Sequence, residues 1–306
     1  VTDTREIIDS ASKYLLELKD RTFDLLTVSK PISPDAAVNL AKVVSKLSPL
    51  LGNLIEFNTV ELLNDQEEYR DLGRWKRQDP GFPDTIFEGS IKPAPGFEIK
   101  AWFPLATEIT ARFKDSQNHF ANDQTYVCLL AWLPDRLIFG TPKIVDVCVL
   151  SGRSIAVARD MHYHNPPDYL VLEPENTSER TKNLQQTNTN GYKWQGTPEE
   201  FTEAKDLVES WGKEGNRYQP TPECQARLQE LRAKYSYRLD TNFAKMNRIK
   251  HAGINEFKHK VFNSEHHGKK IKQWARLLSQ REEATLQKEL EECLDITKVG
   301  SESMFP

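Results

Sequence analysis

Three side chains in the stretch DTIFEGSIKPAPGFEIKAWF have the types and spacing needed to handle a metal ion and a phosphate: Asp84, Glu98 and Lys100. Glu98 and Lys100 stand two apart in a run that reads as a β-strand over residues 97–103, so both project from one face while Phe97, Ile99 and Ala101 turn to the core. Asp84 follows Pro83 in a turn-like entry, with enough chain before Glu98 to reverse and run a neighbouring strand past it. Two carboxylates aimed at one point repel unless a cation lies between them, and a hard oxygen set of this kind suits Mg²⁺. The backbone carbonyl of Ile99 could add a further oxygen. Lys100 beside such an ion would orient or deprotonate a water and neutralise charge that develops on a phosphorus centre. The bland alternative makes Glu98 and Lys100 an edge-strand charge pair of small value and Asp84 a turn residue.

Residues around the trio fit a polyanionic substrate. Lys76 and Arg77 precede Asp84, and Arg112 and Lys114 follow Lys100; such cations meet a DNA backbone without reading its bases. The chain as a whole is mildly acidic, with a formal charge of −4. Residues 241–281 nevertheless hold ten Lys and Arg against two acids, and a local field of that sign attracts phosphate. Within that stretch His266, His267, Lys269 and Lys270 suit backbone contact; a solvated helical face is the competing reading.

The pattern of Pro83-Asp84 followed after a gap by Glu98-Ile99-Lys100 resembles the PD-(D/E)xK motif of type II restriction endonucleases and related mismatch-repair nucleases. That resemblance covers about residues 50–175 and implies a restriction-endonuclease-like α/β fold, a mixed β-sheet core flanked by helices. It makes Asp84 and Glu98 metal ligands, Lys100 the motif lysine and Mg²⁺ the cofactor, with double-stranded DNA cut to 5′-phosphate and 3′-hydroxyl ends. Many members draw a further glutamate from an upstream helix; Glu56 in GNLIEFNTVELL matches best, with Glu61 in reserve. The resulting expectation is a site-specific enzyme, most simply a homodimer. A repair or nicking nuclease, or a non-catalytic DNA-binding protein that keeps the fold, stands as the alternative.

The elements that must position these residues are legible in outline. TREIIDSASKYLLELKDRTFDLL reads as one helix, and residues 35–65 as further helix interrupted near Ser48 and Pro49. FEIKAWF, TYVCLLAWL, KIVDVCVL and SIAVARDMHY read as strands, LATEITARFKDS as a strand pair or short helix, and DYLVLEPE as a last strand. A polar loop follows. PEEFTEAKDLVESW, TPECQARLQELRAKY and HHGKKIKQWARLLSQREEATLQKELEECLD then read as helices. The domain expectation is a helical region over 1–65, a catalytic core over 66–180, and a partly basic DNA-binding region over 181–306.

Other polar groups are weaker candidates. Asp135 and Asp168 also follow proline but lack an ExK downstream. His162, His164 and Asp160 would alternate on the end of a strand, as a zinc set or, with Arg159 and Asn165, as base-contacting groups. Trp102, Trp132 and Trp194 read as packing residues. No phosphate-binding glycine loop, nucleophile elbow or zinc-finger spacing occurs. Four cysteines without CxxC spacing, apolar runs too short to span a bilayer and an opening VTDTREIIDS lacking an apolar signal core point to an intracellular, cytoplasmic, DNA-associated protein.

Overall fold

A computed structural model describes residues 3–24, 26–78, 81–105, 109–111, 120, 122–164, 170–173, 192–195, 197–212, 221–223, 226–227, 230, 234, 244–246, 249–279 and 283–296. The helices are α1 (Thr4–Leu16), α2 (Pro34–Val43), α3 (Ser48–Asn64), α4 (Gly152–His164), α5 (Pro198–Ser210), α6 (Ala252–Asn263), α7 (Ile271–Ser279) and α8 (Glu283–Leu294). The strands are β1 (Gly73–Arg77), β2 (Thr85–Gly89), β3 (Gly96–Trp102), β4 (Thr110–Ala111), β5 (Thr125–Arg136), β6 (Phe139–Ser151), β7 (Leu170–Glu173), β8 (Tyr192–Gln195), β9 (Ala244–Lys245), β10 (Glu265–His266) and β11 (Lys269–Lys270). They divide into two compact units. The first comprises Val1–Ile109, Gln124–Ser151 and Ala252–Pro306; the second comprises Thr110–Asp123 and Gly152–His251.

The first unit is a mixed α/β layer structure around a five-stranded sheet in the order β1-β2-β3-β5-β6. All neighbours are antiparallel except β3 and β5, which run parallel from Gly96↔Thr125 to Trp102↔Ala131. TYVCLLAWL is buried along its whole length, which is why it reads as a continuous apolar run: a strand with both faces covered has no solvent side to mark with polar residues. On β3 the two covers are visible. Trp102 packs its ring on Phe257 and Phe262 of α6, with centroids 5.9 and 5.3 Å away. On the alternate residues, α3 comes so close at Gly52 that a Cβ there would lie 3.7 Å from that of Ala101. Tyr69, Trp75, Phe87 and Phe97 form one buried aromatic cluster that ties β1, β2 and β3 together; Trp75 stands 5.2 Å from Phe87 and 5.4 Å from Phe97.

Several local readings need correction. The first helix stops at Leu16: Asp20 takes a left-handed φ of 65°, and the chain then runs along the edge of β6, Asp20 and Phe23 donating to the carbonyls of Ile144 and Pro142. HHGKK is a tight hairpin of β10 and β11, because His267 and Gly268 both adopt positive φ (48° and 77°), the combination a two-residue hairpin turn demands. In the β5–β6 hairpin the turn residue Leu137 takes φ 66°, and Gly140, just inside β6, takes φ 94° where the Asp135 carboxylate accepts the Thr141 N–H at 3.1 Å. A methyl at Gly140 would come within 1.7 Å of that carboxylate. Gly140→Ala is therefore expected to lower stability by about 1–2 kcal/mol in urea denaturation. Asp135 thus has a structural task.

In the second unit β4 pairs with β9, and β7 runs parallel to β8. Helix α5 starts with Thr197 and Glu200 capping each other's backbone N–H groups. SIAVARDMHY is helix, not strand. Its Ile-Ala-Val-Ala alternation imitates strand periodicity, but Ile155, Ala156 and Arg159 are the buried positions, a helical spacing. Residues 160, 162 and 164 consequently do not share a strand face. Among the described residues, no helix is long and apolar enough to cross a membrane.

Candidate functional site

The antiparallel partnership of β2 and β3 lasts only two residue pairs, Thr85↔Phe97 and Ile86↔Gly96. Beyond it β3 no longer pairs with β2, and Asp84 caps the strand there with its side chain: Oδ2 accepts the Ile99 N–H at 2.7 Å. The Asp84 N–H in turn donates to Glu98 Oε2 at 3.2 Å. Lys100 closes the arrangement, its ammonium 3.0 Å from Asp84 Oδ2 and 2.7 Å from Glu98 Oε1. The parting of two strands therefore brings Asp84, Glu98 and Lys100 to one point. Glu98 and Lys100 do form the charge pair that the structural alternative expected, but a largely buried one, the Glu98 side chain being only 6% exposed and those of Asp84 and Lys100 23%.

Glu56 joins them from α3. Burial, and then the negative charge of Asp84, raise its carboxyl to about 7, with Lys100 and Arg77 pulling the other way and Glu98 adding to the rise. Glu98 is likewise raised to about 7, chiefly by burial and then by Asp84, against the pull of Lys100. Burial alone would lower the Lys100 pKa, but the charges of Glu98 and Asp84, the Glu98 hydrogen bond and the charge of Glu56 outweigh it and hold the group above its ordinary range. Lys100 is thus a fixed ammonium, able to donate and unable to take a proton. Glu61, the reserve choice, is exposed on α3.

Among the described residues no three His, Cys, Asp or Glu side chains stand grouped as a ready metal cage; the ammonium of Lys100 holds the place where Asp84 and Glu98 converge. The donor set fits a hard divalent cation all the same. Asp84 and Glu98 meet one ammonium and Glu56 lies within reach of their charges; burial and mutual repulsion drive Glu56 and Glu98 toward protonation, the excess negative charge that a cation relieves.

This electrostatic conflict has a thermodynamic sign. Below pH about 4.5 Glu56 and Glu98 are protonated in both the folded and unfolded chains, and folding gains fully from keeping them neutral. Between 4.5 and about 7 the unfolded chain releases protons that the fold retains, so their contribution is lost as pH rises through that window. Glu56→Gln is accordingly expected to stabilise the metal-free protein by about 1–2 kcal/mol at pH 8 and by almost nothing at pH 4, read from urea denaturation at the two pH values.

The other expected contacts are dispersed. Arg77, at the end of β1, lies close enough to act on Glu56, whereas Lys76 is exposed and pairs with Glu88 at 2.9 Å. Arg159 is buried in the second unit. His162 lies in α4, and its side chain, like all of Arg112, Lys114, Asn165, Asp168 and the polar loop before Tyr192, lies outside the described residues. The pair His266 and His267 is committed internally: their Nε2 atoms lie 3.4 Å from the Pro134 carbonyl and 2.8 Å from that of Asp135. Burial, then His267, lowers His266 to about 4, so it is uncharged at neutral pH and offers phosphate no cation. Lys269 pairs with Glu289 at 2.7 Å and lies 5.9 Å from the Trp274 ring, while Lys270 is exposed. The basic stretch is divided between both units. Trp102 and Trp132 are buried packing residues, and Cys128 is a buried free thiol.

Sequence reasoning missed the Asp84 bond to the Ile99 N–H, the contact that locks the carboxylate against β3. Its only signal was the proline before Asp84, which ends the strand pairing. No protein-family model matches the chain, and neither curated proteins nor solved structures give a match.

Proposed function

We propose that this chain is a Mg²⁺-dependent endonuclease of double-stranded DNA with a PD-(D/E)xK active site and a restriction-endonuclease-like core, cutting at a specific sequence as a homodimer. The observation that carries the reading is the convergence of Asp84, Glu98 and Lys100 where β2 parts from β3, with Glu56 supplied by an upstream helix that packs on the same strand. A mixed sheet flanked by helices, with the motif on adjacent strands, is the setting such a site requires.

Asp84 and Glu98, with the Ile99 carbonyl, would hold the ion. Bound there, Mg²⁺ supplies Lewis-acid polarisation of a phosphate oxygen and a water of lowered pKa. The protein's own groups divide the remaining work. Lys100 places a fixed positive charge against the oxygens that become more negative as water attacks phosphorus. Glu56, within reach of the charges of Asp84 and Lys100, would hold a second ion or orient the shell around the first, the attacking water's proton passing to solvent. A new P–O bond to water forms as the bond to the 3′ oxygen breaks, leaving 5′-phosphate and 3′-hydroxyl ends.

Sequence specificity and two-strand cutting are the finer parts of the proposal, resting on the polar material outside the sheet and on the symmetry that a palindrome imposes. Incubating the protein with plasmid and Mg²⁺ tests both parts. Linear product of fixed ends supports the full reading, and nicked circles alone favour a repair or nicking enzyme. Supercoiled plasmid that stays intact while bound identifies a non-catalytic DNA-binding protein.

A further inference from the structure

Helix α3 is apolar on more sides than the described residues cover. Leu51, Ile55, Val60 and Leu63 are buried, yet Leu50 is 54% and Phe57 47% exposed, with Leu54 half-buried between them. At about 100° per residue, positions 50, 54, 57 and 61 fall in one strip about 60° wide, opposite the buried residues. A helix that is apolar on opposite faces calls for a second surface.

From this strip we infer that α3 pairs with α3 of a second copy of this chain, antiparallel, across a two-fold axis passing between Asn53 and Leu54. The strip is self-complementary in that register. Leu50 meets Phe57 of the other copy twice, once on each side of the axis, and Lys46, in the 3-10 turn Val44–Leu47 that leads into α3, comes opposite Glu61 of the other copy in the same way. Lys46 and Glu61 are exposed, and neither makes an ion pair with any described residue. A parallel pairing would set Lys46 against Lys46 and Glu61 against Glu61, so charge selects the antiparallel arrangement. One helix pair is a small contact beside the ~1,200 Å² at the low end of standard interfaces, so the association expected is weak and concentration-dependent. This contact deepens the two-fold expectation of the nuclease reading, yet it is read out as mass, so either can fail while the other stands.

Sedimentation equilibrium of the full chain from about 1 to 500 μM tests it. The expected result is reversible dimerisation in the wild type. Lys46→Glu or Glu61→Lys alone should weaken it about tenfold or more, and the double charge swap should restore it to near the wild-type value. Leu50→Asp with Phe57→Asp should leave a monomer with an unchanged far-ultraviolet dichroism spectrum. A wild-type protein that stays monomeric over this range overturns the proposal, including the case in which the strip is protected from hydrogen exchange by the protein's own chain. Dimerisation by the Leu50→Asp, Phe57→Asp protein, or failure of the double swap to restore association, also overturns it.

Discussion

Asp84→Asn and Glu98→Gln, made singly, are each expected to reduce Mg²⁺-dependent DNA cleavage by about 10³-fold or more while DNA binding is kept or tightened. Both replacements remove a charge and preserve shape. Asparagine at 84 still offers an oxygen to the Ile99 N–H that Asp84 now accepts at 2.7 Å, so that amide of β3 stays capped. Alanine there would leave that amide unpaired at a cost of about 1–3 kcal/mol and mix folding with chemistry. The size of the effect follows from what the carboxylates are asked to do: they are the charged oxygens available to hold a divalent ion, whose removal takes away both Lewis acid and activated water. Binding survives because fewer negative charges then face the phosphates. A gel assay for cleavage and a fluorescence assay for binding, run on the same preparations, separate the two quantities. Wild-type cleavage by both variants ends the nuclease proposal.

What the residues could reveal in advance was the part of the site that lies along one strand. The i, i+2 rule placed Glu98 and Lys100 on one face of β3, and the length of the intervening chain allowed Asp84 to return beside them. Periodicity also marked β5 and β6, whose apolar runs leave no competing helical pattern. It failed where tertiary context sets the pattern. SIAVARDMHY alternates like a strand yet lies within the helix Gly152–His164, because three helically spaced residues have a core to enter. Residues after Leu16 keep an apolar rhythm yet lie along β6 through backbone hydrogen bonds that composition does not encode. The charge state of the site was illegible for a related reason. An isolated Lys100 would already be an ammonium at neutral pH, and the further rise that fixes its proton arises only when the fold brings the charges of Glu98, Asp84 and Glu56 around it. Reading it as a base from sequence was open; the geometry favours an electrostatic role.

That ammonium is the basis of the second large effect. Lys100→Ala is expected to destabilise the metal-free protein by about 3 kcal/mol at pH 8, much less at pH 5, and to abolish cleavage at either pH. Removing the lysine leaves Asp84 and Glu98 without their shared ion-pair partner, with only Arg77 still acting on Glu56, and buried or half-buried carboxylates in that position must either repel or take up protons. At pH 5 the protons are at hand, since Glu56 and Glu98 already titrate near 7 and would move higher without Lys100. At pH 8 proton uptake itself has a cost, which appears as lost stability. Saturating Mg²⁺ should recover most of the loss at pH 8, because a divalent ion replaces the missing charge. It should not recover cleavage, because it cannot also stand where the ammonium meets the developing charge on phosphate. Urea denaturation of the wild type and Lys100→Ala at pH 5 and pH 8, with and without Mg²⁺, tests each step separately. A destabilisation independent of pH would mean that Lys100 acts through packing of its methylenes, and one that Mg²⁺ leaves untouched would mean that the three carboxylates do not meet a common cation.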